Sequence, residues 1–81
     1  MTAQPRGYEG AVTEMARNIR RAPPQSRWVH RRSGHFYTVA CHALIEAHLT
    51  PAVVYFGSQL GATWVRPAFE FFDRFEPFPN T

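Results

Sequence analysis

An 81-residue chain with a formal net charge of +3 has room for one small domain. All nine basic residues are Arg and none is Lys, and so small an excess does not by itself require nucleic acid, whose non-specific binding rests on about six or more clustered phosphate contacts. The lone Cys41 excludes an internal disulfide. No apolar run approaches the roughly 18 residues of a membrane span, and no secretory leader pattern is present, so the expectation is a cytoplasmic protein with no membrane partner.

Residues 1–27 read as an N-terminal arm, because they contain neither Phe nor Trp. Within them Tyr8, Ala11 or Val12, Met15 and Ile19 recur at three- and four-residue spacing, which predicts one amphipathic helix of about 12 residues. Gly10 or Thr13 begins it on this reading. Pro23 and Pro24 end it, since proline lacks a donor and disfavours helical geometry in the residue before it. Arg17, Arg20 and Arg21 fall in the last turns, favourably placed against the helix dipole. With Arg27, Arg31 and Arg32 they put six arginines within sixteen residues. Such a cluster suits phosphate or an acidic partner, and it equally suits a solvated basic face. A helix this short and this modestly apolar must dock on its own domain, dock on a partner, or fray.

From Trp28 onward the pattern changes to short strands. "HFYTVACHA" alternates, with Tyr37, Val39 and Cys41 on one face and Phe36, Thr38 and Ala40 on the other. On that alternation Cys41 is a small buried residue. "AVVYF" is a second strand, stopped by Gly57, and "ATWV" is its hairpin partner across Gly57–Gly61. The stretch 43–50 between the first two of these strands fits either a short helix or an irregular excursion. After Pro67, "AFEFFD" has room for about one helical turn, and "RFEPF" returns as an edge strand that tolerates Pro77. Short strands at this spacing predict a small all-β barrel or sandwich over residues 28–81.

The residues that carry chemistry do not assemble into a catalytic constellation in the sequence. Cys41 and His42 are neighbours, and neighbours on a strand point to opposite faces. Glu70, Asp73 and Glu76 each have Arg66 or Arg74 nearby and read as a solvated face. The four histidines are five to seven residues apart, wider than the usual spacing of metal ligands. The reading is therefore of a protein that is not an enzyme, with no metal and no cofactor. Trp28, Tyr37, Tyr55, Trp64 and Arg66 are available either to fill a small barrel or to meet bases or peptide on its surface.

The order "WVHRRSGHFYTV", "VVY", "WVRP" and a Phe-rich end resembles the small bacterial and phage proteins grouped as domain of unknown function 1653. The matching positions are Trp28, His30, Arg32, Gly34, Tyr37, Val53, Val54, Tyr55, Trp64, Val65, Arg66, Pro67 and Phe75. The resemblance implies a compact SH3-like β-barrel in which these residues form the structural motif, and a host-directed regulatory role for a phage-encoded member, acting in the host cytoplasm. Trp28 stands where Tyr is more usual, Arg32 where Lys is common, and 43–50 is more apolar than expected.

The resulting expectation is a mostly β, SH3-like barrel preceded by an arm with one short α-helix. Its function is read as non-catalytic binding of a macromolecule, a modulator or inhibitor of a host protein. Tyr8, Val12, Met15, Arg17, Ile19, Arg20, Arg21, Arg31, Arg32 and Phe72 are the partner-binding candidates. Two alternatives stand beside it: nucleic-acid binding through the arginines, and homodimerisation through the arm's apolar stripe. In the closing segment Trp64 and Phe75 are expected to plug the barrel, and Arg66 to brace the turn. Of Phe69, Phe71 and Phe72 at least one must be exposed or covered by the arm helix, with Phe72 taken as the docking ring.

Overall fold

The computed structural model describes residues 4–57 and 61–78, with the side chains of 4–6 left aside. Helix α1 spans Gln4–Arg21 and is followed by strands β1 (Arg27–His30), β2 (Phe36–Ile45), β3 (Thr50–Gly57) and β4 (Thr63–Pro67). Helix α2 (Ala68–Arg74) and strand β5 (Phe75–Pro77) close the sequence of elements. The protein is mostly β, with five antiparallel strands ordered β4-β3-β2-β1-β5. The sheet is open, not closed into a barrel, and β4 and β5 are its edges. Residues 58–60 of the expected Gly57–Gly61 turn lie outside the described residues.

Helix α1 is 18 residues long, against an expected 12 or so. Pro5 does not shorten it, because the first helical turn has amides with no intrahelical partner and proline forfeits nothing there. At the other end the Ala22 amide still donates to the Asn18 carbonyl at 2.8 Å before Pro23 and Pro24 stop the helix. The buried line also differs from the expected stripe. Ala11 and Ala22 are buried and Met15 and Asn18 half-buried, whereas Tyr8 and Ile19 are exposed. Small side chains at 11 and 22 let the helix lie close against β2 and β3, which leaves the larger apolar groups outside.

Strand β2 departs from simple alternation at one point. Val39 is opposite Tyr55 and Cys41 is opposite Val54, so Ala40 is the extra residue of a β-bulge. Beyond the bulge the two faces exchange. Cys41, expected inside, is exposed, and His42 takes the inward position with Nε2 donating to the Ala22 carbonyl at 2.8 Å. Residues 43–50 are neither helix nor irregular excursion. Ala43, Leu44 and Ile45 continue β2 opposite Ala52, Pro51 and Thr50, and a tight turn joins the strands.

The core lies where α2 covers the sheet. Trp28, Val39, Val53, Tyr55, Ala68, Phe71 and Phe75 are buried together, and Ala22 adds the end of α1. Phe71 and Phe75 stack with centroids 4.4 Å apart, and Trp28 meets Phe71 edge-on at 5.2 Å. The indole N–H of Trp28 donates to the Ser26 hydroxyl at 3.1 Å, so its polar end is satisfied beside the core.

Trp64 does not plug this core. It is 50% exposed, because β4 is an edge strand and, among the described residues, no strand lies on its outer side. Among the three phenylalanines of α2, Phe71 is the buried one and Phe69 stands 71% exposed. Phe72 is half-buried beneath Arg21, whose guanidinium lies 4.0 Å from its centroid. The expected docking ring is thus occupied by the protein's own helix, and Phe69 is the ring left in solvent.

Candidate functional site

A groove of about 290 Å³ opens on the sheet, lined by His30, Ser33, His35, Tyr37, Tyr55, Trp64, Arg66 and Phe75. Its walls come from every strand. His30 is the last residue of β1, Tyr37 sits near the start of β2, Tyr55 lies on β3, Trp64 and Arg66 on β4, and Phe75 opens β5. Phe75 is the hub beneath them, with Tyr37, Tyr55 and His30 meeting its ring at 5.5, 5.2 and 4.9 Å. Edge-to-face packing of this kind fixes ring orientations more tightly than burial alone. Across from Tyr37 stands Gly57, where an added Cβ would come within 3.2 Å of the Tyr37 ring. A larger residue at 57 would displace that wall.

The polar groups of the groove are held by the scaffold. Arg66 donates through Nε to the Tyr55 hydroxyl at 3.1 Å and through a terminal nitrogen to Glu70 at 2.9 Å. Its guanidinium also lies 5.7 Å from the Phe75 centroid. The Tyr55 contact first, and the Glu70 carboxylate after it, hold its charge more firmly than in free arginine. Glu70 is shared with Arg74 at 3.8 Å. Arg66 therefore braces β4 against α2 and β3, the role expected of it at the turn.

His30 is oriented by the β1–β2 turn. The amide of Ser33 donates to its Nδ1 at 3.2 Å, and the Ser33 hydroxyl lies at the same distance. That hydroxyl accepts from the His35 amide at 3.2 Å, which leaves its own proton free for Nδ1. With Nδ1 accepting, the neutral imidazole carries its hydrogen on Nε2. The turn closes through Gly34, whose amide donates to the His30 carbonyl at 2.8 Å and whose φ of +79° suits glycine. Burial, then the charges of Arg66, Arg74, Arg32 and His35, push the His30 pKa below its ordinary value.

Six of the thirteen motif residues thus converge on one groove: His30, Tyr37, Tyr55, Trp64, Arg66 and Phe75. Trp28 is in the core, Gly34 shapes the turn, and Pro67 links β4 to α2. Sequence reasoning passed over Ser33 and His35, which line the groove from the turn beside His30. The partner-binding candidates do not join this site. Tyr8, Val12, Met15 and Ile19 belong to α1, and the arginine cluster is split between the two ends of β1. Arg17, Arg20 and Arg21 are on the helix before it, and Arg31 and Arg32 are in the turn after it. Arg21 lies over Phe72, and Arg31 pairs with Glu76 at 3.4 Å.

Among the described residues, no three of the His, Cys, Asp and Glu side chains gather as a metal site would require. No described helix is long and apolar enough to cross a membrane. No family model, curated protein or solved structure matches this chain.

Proposed function

We propose that this chain is a small non-catalytic binding module that grips a segment of a partner protein in the aromatic groove. One observation carries the reading. Trp64 stands half exposed at the rim of a groove in which Arg66 and His30 already have partners that hold them still. Rigid aromatic walls with one exposed indole offer large contact area at little entropic cost, the composition of interface hot spots. A protein partner is favoured over nucleic acid because the arginines are divided between two ends of β1 and two of the five proposed for phosphate contact are engaged internally.

The SH3-like reading is supported by the last short strand, which returns beside the first after the two helical turns of α2, and by the bulge in β2. Kinship with domain of unknown function 1653 is proposed on the sequence motif, six residues of which line the groove. On that kinship the partner would be a host protein and the chain its modulator. Selection of random displayed peptides on the full chain tests the binding reading. Convergent peptides are expected, and Trp64→Ala should weaken them by about tenfold or more without lowering the melting temperature appreciably. Peptides that fail to converge, or that bind the variant equally, would refute the groove as the contact site.

A further inference from the structure

The outer edge of β4 is one of the two edges of the sheet. The strand order ends there, so among the described residues no strand pairs with it. Trp64 and Val65 on this edge are 50% and 60% exposed. Edge strands commonly carry lysines, inward charges or bulges that discourage further pairing. β4 has no lysine, pairs with β3 in unbroken register, and its one charge is drawn onto Tyr55 and Glu70. The alternate backbone donors and acceptors of β4 that point away from β3 have no strand partner among the described residues, and Pro67 has no amide hydrogen.

The residues of β4 are complementary to the same strand run backwards. In an antiparallel pair with a two-fold axis at Val65, that residue faces its own copy, Trp64 faces Arg66 of the second chain, and Thr63 faces Pro67. Trp64 and Arg66 both line the groove and so lie on one face of the sheet. Directly opposite side chains on such a face have Cβ atoms about 4.5–5.5 Å apart, within reach of an indole and a guanidinium. Arg66 is already fixed by its contacts to Tyr55 and Glu70, with its guanidinium over Phe75. Little order is lost when an indole settles on it. A register centred between residues 65 and 66 would oppose Trp64 to Pro67, which lie on opposite faces of the strand, and is therefore incompatible with a two-fold axis perpendicular to the sheet.

We infer that a second copy of this chain pairs antiparallel with the β4 edge in a two-fold register centred on Val65, joining two sheets into one and setting each Trp64 over the partner's Arg66. The two grooves then meet across the axis, and each gains a wall from the other chain. This surface is separate from the apolar stripe of α1; it shares Trp64 with the proposed groove contact, so the dimer is tested at Val65, which does not line the groove.

Sedimentation velocity on the full chain across a wide concentration range is expected to show a dimer, and Val65→Lys to show a monomer at the same concentrations. Val65 is exposed, so the far-UV circular dichroism of that variant should match the parent. Register is tested by crosslinking in a Cys41→Ser background. Adding Val65→Cys should give a disulfide-linked dimer on mild oxidation, because directly opposite Cα atoms lie about 4.5–5.5 Å apart, within disulfide range. Adding Thr63→Cys instead should not. A monomer at every concentration, a dimer that survives Val65→Lys, or equal crosslinking at both positions would each overturn the inference. Should Val65→Lys disturb the fold, the crosslinking pair decides.

Discussion

The aromatic core under α2 and the seam under α1 are built on different principles. Around Phe71 the contacts are large rings, with Trp28, Tyr55, Phe72 and Phe75 all within 5.6 Å of its centroid. Along α1 the buried residues at positions 11 and 22 are alanines. At this seam two polar atoms, Asn18 Nδ2 and His42 Nδ1, are buried without a hydrogen-bonding partner. Ring packing spreads the support of this core over a wide apolar area. The seam depends instead on a few directional bonds, chiefly the one from His42 to the Ala22 carbonyl. One end of the molecule is thus held mainly by area and the other mainly by geometry, so α1 should open before the sheet does.

The largest test of that difference is Phe71→Ala. Phe71 is fully buried, and truncation of a buried phenylalanine costs about 3–5 kcal/mol. A domain of this length has a total stability of about 4–12 kcal/mol, so the variant should be largely unfolded or close to it in urea titration. If it retained most of the parent stability, the rings around position 71 would not be the principal support. The comparison with Trp64 is direct, since truncation there removes a half-exposed indole and leaves this packing intact.

His42→Ala probes the seam at a smaller scale. It removes the donor to a carbonyl on a fully buried residue, and an unpaired buried acceptor costs about 1–3 kcal/mol. Hydrogen exchange should show the loss unevenly, with α1 amides exchanging faster while those of β2 and β3 keep most of their protection. Equal acceleration in helix and sheet would mean that the two regions open as one unit.

The sequence showed the ends of these regions better than their interiors. Pro23 and Pro24 marked the helix stop because proline acts locally, and alternation marked the body of β2. The bulge at Ala40 has no such marker, as the residues on either side alternate without interruption. It reversed the expectation for Cys41 and brought His42 inward. The longer helix followed from the tolerance of a first turn for Pro5, and the continued hairpin at 43–50 from pairing with Thr50, Pro51 and Ala52. The exposure of Trp64 was equally illegible, because an edge position is decided by where other strands stop. His30, Tyr37, Tyr55, Arg66 and Phe75 were visible as a motif, but only the strand order makes them walls of one groove.

The smallest expected effect joins that groove to stability through His30. Its folded pKa is lowered from 6.5, first by burial and then by the surrounding positive charges of Arg66, Arg74, Arg32 and His35. As pH falls, the unfolded chain therefore binds the proton first. Stability from this source is fully present above the unfolded pKa, declines as pH falls through it towards the folded value, and levels off below that. The accepting role of Nδ1 from the Ser33 amide gives the same sign, because protonation there replaces an acceptor with a donor facing a donor. The chain carries three other histidines, so the informative quantity is a difference. The melting temperature of the parent minus that of His30→Asn, followed between about pH 8 and pH 5, should shrink as the solution becomes acid. A difference that grows towards acid pH would mean that the folded chain holds the His30 proton more tightly than the unfolded one, against the charge arrangement of the groove.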